Sequence, residues 1–383
     1  MAGLLVLLII LGCVAFQYCK GTFVKSFGTF AASLLASMVA YNYFELVANA
    51  FLSRGDQLSL ITPWVGSLSF ILVFILAYVI FQTVLSQLTY KSINLGFIAE
   101  KAGSCFFGLF WGLTLSGVLL ISLVMAPLGS DLPYERFDKN KIDPAEAKKV
   151  FFNADGFVTG WFNIASKGSL SGDKSFAAVH PAFLNTAFLN RIGFSKNIKL
   201  TTFEKALEIK KPALWYAPEG IKDAENPAQP VKTKPGHKLM IVRIGIKKNM
   251  IDKIGAFSLS QLRIMCKLET AMTDALTGSS KVVYPQGYMK TADLLETKQL
   301  SEPMSIKKSD FQGKIKLIDF VFDVPNNYVP VLVEFRQNFI AKLPSLTPED
   351  QAPQIEPYSG VKEAEPSEDE VPSDDKTEGK KIE

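Results

Sequence analysis

The chain has 383 residues and a formal net charge of +4, and its charged residues are unevenly spread. Residues 1–130 hold only eight of them, which excludes a wholly water-soluble fold for the first third. The rest divides into a basic stretch, with 32 basic against 22 acidic residues over 131–345, and an acidic end, with 12 acidic against 4 basic over 346–383.

Four apolar blocks open the chain, at residues 1–19, 26–53, 57–90 and 102–130; the second carries only Glu45 and the others carry no charge. About 18 apolar residues suffice to cross a bilayer core roughly 30 Å thick as a helix. Helices in soluble cores rarely run that long without a polar face, so each block is predicted to span. The first block is not read as a signal peptide, because no basic residue precedes Leu4 and Lys20 follows the apolar run. The first loop carries Lys20 and Lys25, the third Lys91 and Lys101, and the second only Arg54 beside Asp56. Basic loops stay on the cytoplasmic side. Both termini, and everything after about residue 130, are therefore expected outside the cytoplasm.

Close backbone approach through small residues drives helix association in lipid. The fourth block supplies Gly103, Gly108, Gly112 and Gly117, with Gly108 and Gly112 at the GxxxG spacing. Ala31, Ala32, Ala36 and Ala40 of the second block offer a partner surface. Asn42, Glu45 and Asn49 recur at i, i+3 and i+7, on one helix face. An ionisable group at membrane depth marks a pathway or a buried pair; alternatively the span ends near Tyr43 and Glu45 sits among the headgroups.

Residues 10–40 (ILGCVAFQYCKGTFVKSFGTFAASLLASMVA) and 95–128 (LGFIAEKAGSCFFGLFWGLTLSGVLLISLVMAPL) carry a resemblance. Two small-residue helices flank a short basic loop with Lys-Gly-x-Phe, and a glycine-spaced helix follows. This resembles the membrane domain of the colicin V production protein family, over residues 1–130. The family commonly has Arg ahead of Gly in the first loop, where this chain has Lys20. The resemblance implies a bacterial inner-membrane protein linked to envelope homeostasis and export, with no settled chemistry. Some members fuse this domain to an extracytoplasmic serine protease. A Ser-His-Asp enzyme needs a nucleophile on a tight turn, a histidine base and an orienting acid. The two histidines are His180, before Pro181, and His237, in a loop-like KPGHK; the nearest nucleophile motif, at residues 168–172, precedes both. No catalytic residue is assigned.

The cysteines, Cys13, Cys19, Cys105 and Cys266, are not paired at zinc-ligand spacing, and no phosphate-binding glycine loop occurs. No cofactor, metal or nucleic-acid partner is expected.

Residues 131–216 are expected to be mostly helical. Asp143, Pro144 and Glu146 form a helix start for residues 143–165. In that helix Phe157 and Trp161 can pack on the domain or anchor at the membrane interface, packing being favoured. A Pro-, Lys- and Gly-rich linker at 217–238 leads into alternating strands at 238–247, 258–268, 314–324 and 328–336. Pro325, Asn326 and Asn327 predict a hairpin between the last two, and short alternating strands over 239–345 point to an immunoglobulin-like sandwich. Residues 346–383 read as a disordered acidic tail, which either shields the basic domain from anionic lipid or cell-wall polymer or serves only to solubilise the chain.

The expected fold is a four-helix transmembrane domain, then an α+β extracytoplasmic region with a β-sandwich-like C-terminal part and a disordered acidic tail. The expected function is non-catalytic, an envelope-maintenance or export-related assembly factor with the lipid bilayer, further copies of itself or other envelope proteins as partners. The alternative is a small transport or channel subunit with Glu45 in its pathway.

Overall fold

The computed structural model describes residues 1–53, 61–88, 96–138, 141–167, 174–192, 198–202, 206–271, 274–336 and 338–358. Arg54, Asp56, Lys91 and residues 168–172 and 359–383 lie outside them. Four long helices come first: α1 (Ala2–Lys20), α2 (Phe23–Leu52), α3 (Val65–Leu88) and α4 (Phe97–Met125). Each is long and apolar enough to cross a membrane. A mixed α/β region with several sheets follows.

Antiparallel packing of α1 on α4 explains Gly108 and Gly112. A β-carbon on Gly112 would lie 2.7 Å from the Ile10 Cα, and one on Gly108 3.1 Å from the Val14 Cα. Without those side chains the two backbones can touch, which is where helices in lipid gain contact. The Gly108/Gly112 pair thus receives α1, and not the alanine face of α2. Ala36 and Ala40 share a core with Phe70, Phe74 and Ala77 of α3 and with Val118 and Ile121 of α4.

Three shorter helices follow: α5 (Ala154–Lys167), α6 (Phe176–Val179) and α7 (Phe183–Asn190). They do not stand apart from the first four. Val158, Phe162, Phe176, Phe183 and Leu184 share one core with Tyr41, Phe44, Phe70 and Ile121. The helix expected from Asp143 begins at Ala154. The Asp143 carboxylate accepts the Ala145 amide at 2.8 Å, but this caps only a turn, because the Lys148 amide bonds the Arg136 carbonyl. Phe152 and Asn153, at φ 56° and 48°, then turn the chain into α5.

The strands are β1 (Leu207–Glu208), β2 (Leu214–Tyr216), β3 (Lys222–Asp223), β4 (His237–Lys247), β5 (Phe257–Ser258), β6 (Leu262–Leu268), β7 (Lys281–Val283), β8 (Pro285–Met289), β9 (Leu294–Thr297), β10 (Pro303–Met304), β11 (Ile315–Pro325), β12 (Tyr328–Phe335) and β13 (Phe339–Lys342). One sheet has the order β1-β4-β11-β8-β9-β3, with β2 also on β4; a second runs β13-β12-β6-β7, and β5 pairs with β10. Both larger sheets feed one core, in which Val242, Ile244, Phe320 and Phe322 meet Ile264, Cys266, Val333 and Phe335.

β11 and β12 are not a hairpin. β4 and β8 occupy both edges of β11, so β12 crosses to the other sheet and pairs with β6 and β13. The turn is held by the Asn326 amide on the Gly236 carbonyl.

Two segments read as linker and tail also join the fold. β3 lies within residues 217–238, and the Val231 amide bonds the Ile221 carbonyl. Beyond Ser345, the Thr347 amide bonds the Leu214 carbonyl, and Tyr358 is buried with its amide on the Met289 carbonyl.

Candidate functional site

Charged residues are rare on the long helices, so the partner of Glu45 decides how the site is read. Glu45 lies on α2, with 36% of its side chain exposed, and its Oε1 is 2.7 Å from Nε2 of His180. His180 terminates α6. Its ring is 4% exposed and packs beside Phe176 and Phe183. On the other side His180 Nδ1 is 3.5 Å from Oε1 of Glu334. Glu334 in turn accepts two hydrogen bonds from Arg263, from Nε at 2.7 Å and Nη2 at 2.5 Å.

The pairing of Glu334 with Arg263 follows from strand register, since the two residues stand opposite each other on β12 and β6. Cross-strand neighbours on one face are the natural unit of contact in a sheet. Val333 and Phe335 point into the shared core, as do Leu262 and Ile264. Glu334 and Arg263 must then share the opposite face with Leu332 and Met265, which pack against Val179 of α6. That face is the one covered by α6.

Four side chains of alternating charge therefore run from a long apolar helix into the second sheet. Burial disfavours the charged form of His180, but Glu45 and Glu334 outweigh it and push the imidazole up to about 10. Burial likewise opposes ionised Glu334, yet Arg263 and His180 hold it below the usual carboxylate range. Tyr284 lies beside Arg263 and Glu334, and burial pushes its phenol up. Among the described residues, Arg263 Nη1 and the Tyr284 hydroxyl have no hydrogen-bond partner. His180 makes close ion pairs with both carboxylates, and neither meets the geometry of a well-aligned hydrogen bond.

The other residues singled out on this face do not join the site. Asn42 is exposed and donates to the Met38 carbonyl of its own helix. Asn49 is half-buried, and its carbonyl accepts the Ser53 amide that ends the helix. Gly103 faces the Phe23 ring, and Gly117 faces the Ala154 carbonyl of α5. His237 stands apart, 3.5 Å from Asp323.

A second polar cluster fastens the start of α5. Asp155 is fully buried, accepts the Tyr134 hydroxyl at 2.5 Å and lies 3.9 Å from Arg136, which also donates to Asn185 of α7. Arg191, also buried, donates to the Leu123 carbonyl in the last turn of α4, a carbonyl that also accepts the Ala126 amide, and to the Leu132 carbonyl.

Comparison with known proteins returns no match, since no family model, curated protein or solved structure matches this chain. Alternation marks Arg263 and Glu334 as the solvated face of half-buried strands, so sequence reasoning passed over them. The one available signal was an acid on a span and a histidine beyond it, with nothing local to join them.

Proposed function

We propose that this chain is an integral protein of the bacterial inner membrane that holds an extracytoplasmic, sandwich-like binding domain fixed against its four spanning helices. It acts without catalysis as an assembly factor in envelope maintenance or export, the role implied by the resemblance to colicin V production proteins. The observation that carries this reading is the chain Glu45–His180–Glu334–Arg263, buried at all but its Glu45 end, which ties a spanning helix to the second sheet. Both His180 nitrogens face carboxylates, so the imidazole bridges two elements and has no free nitrogen to activate a nucleophile. Orientation is supported by Lys20 and Lys101, at the ends of α1 and α4 remote from the α/β region.

Partners in this reading are the bilayer and either further copies of the chain or other envelope proteins, with anionic lipid or cell-wall polymer as ligands of the basic region. The test is photo-crosslinking from the β region in native membranes, followed by mass spectrometry. A reproducible envelope protein or self-crosslink lost in Glu334→Ala is the expected result. Solute flux that needs Glu45 while crosslinks survive Glu45→Gln would favour the transport reading.

A further inference from the structure

Between residues 150 and 166 the only charged side chain is Asp155, and it is buried against Tyr134 and Arg136. The exposed positions from 151 to 166 are Phe151, Phe152, Trp161 and Ile164, all large and apolar. Trp161 and Ile164, three apart on α5, project from one side of it. A helix facing water would place polar groups there.

Depth explains the pattern. The end of α4 at Met125 lies level with the start of α3, where a β-carbon on Gly66 would touch the Met125 side chain. A β-carbon on Gly117 would lie 2.3 Å from the Ala154 carbonyl. Gly117 is about 12 Å short of the α4 end at roughly 1.5 Å per residue. At the other end of α5, Phe162 stacks on Tyr41 of α2 at 4.8 Å and the Tyr41 hydroxyl bonds Thr159. Phe151 packs at the level of Gly3, where α1 begins. Because α1 has only 19 residues, about 28 Å of helix, its first turn must stand at the membrane boundary if it spans. α5 thus lies across the bundle, a turn or two below that boundary.

We propose that α5 and the Phe151–Phe152 turn form a fifth membrane element that does not span, embedded in the leaflet on the domain side with Phe151, Phe152, Trp161 and Ile164 against bilayer lipid. The inference rests on the reading that α1 to α4 cross the membrane. Lipid is the occupant because Phe151, at the start of this apolar run, packs beside Gly3 of α1, a helix whose Leu4 and Leu8 are themselves exposed. Helices of this kind sink about 5–10 Å into the boundary between headgroups and acyl chains. Lys167 ends the apolar stretch in the last turn of α5.

The test uses the full chain in phosphatidylcholine/phosphatidylglycerol vesicles, with the native cysteines replaced and single spin labels at Trp161→Cys and Ile164→Cys. Leu8→Cys on α1 reports spanning, and Leu268→Cys, exposed on β6, reports water. Labels at 161 and 164 are expected to resemble Leu8, broadened by oxygen and protected from a nickel chelate. If they resemble Leu268 while Leu8 remains lipid-exposed, the proposal is wrong and the spanning reading stands. If Leu8 itself resembles Leu268, both fall. Immobilised labels that neither reagent reaches would assign the face to another protein and overturn the lipid contact. In the chain with native cysteines, brominated phosphatidylcholine should quench a tryptophan component that Trp161→Phe removes; equal quenching of both proteins also overturns the proposal.

Discussion

His180 is buried between two carboxylates that favour its charged form. Its folded value near 10 lies above the ordinary 6.5, so its contribution to stability is complete below about 6.5 and is lost as pH rises through about 10. The melting temperature of the protein in detergent should fall across that window, and His180→Gln should flatten the fall; an unchanged alkaline slope would detach His180 from the coupling. Glu334→Ala leaves Arg263 and His180 buried without their shared acid, an arrangement that typically costs about 3–5 kcal/mol. Glu45 is over a third exposed, so its pair is less enclosed than that of Glu334 and Glu45→Gln should cost only about 1 kcal/mol. Denaturant melts of the two variants test this ranking. Equal losses would mean that Glu45 carries more of the bridge than its exposure allows.

At the scale of elements, the glycines of α4 differ in what they face. The neighbour of Gly112 is α1 backbone and that of Gly117 is α5 backbone, whereas Gly103 faces the ring of Phe23, which can swing aside. Gly112→Leu and Gly117→Leu should therefore destabilise by about 1–3 kcal/mol or more, and Gly103→Ala by less. Since all three contacts are within one chain, oligomer size in detergent should stay the same; a change on gel filtration would put the glycines at an interface between copies. The length of uncharged apolar runs identified α1 to α4, but it could not name their partners, because a GxxxG ridge fits any small-residue groove. Similarly, Pro325, Asn326 and Asn327 make a turn without specifying which sheet receives the next strand. That depended on β4 and β8 having filled the edges of β11.

For the whole molecule, the acidic end divides at Tyr358. The Gln354 carbonyl accepts from Arg243, the Glu356 amide donates to Asp319, and Tyr358 is buried beside Tyr288. Truncation after residue 358 should leave the melting temperature unchanged, whereas truncation after residue 345 should lower stability by about 2–4 kcal/mol, mainly through the lost burial of Tyr358 and the opened Arg243–Asp319 pair. Matching melts for the two truncations would make the segment dispensable. Composition assigned residues 346–358 to a tail because acidic, Pro-rich sequence rarely supplies a core; here Leu346, Ala352, Ile355 and Tyr358, with a few backbone bonds, seat it on an existing core.

The sequence by itself determined the four apolar helices, the period of the strands in β4, β6, β11 and β12, and the acidic end, because apolarity, alternation and charge are local properties that each segment carries into any fold. Tertiary structure alone decided that α6 and the His180 that ends it cover the second face of β6 and β12. That covering turns Arg263 and Glu334 from a solvated pair into a buried one and brings Glu45, 135 residues away in sequence, against His180. The physical reason is that a side chain's charge cost depends on what excludes water from it, and the excluding elements lie far along the chain.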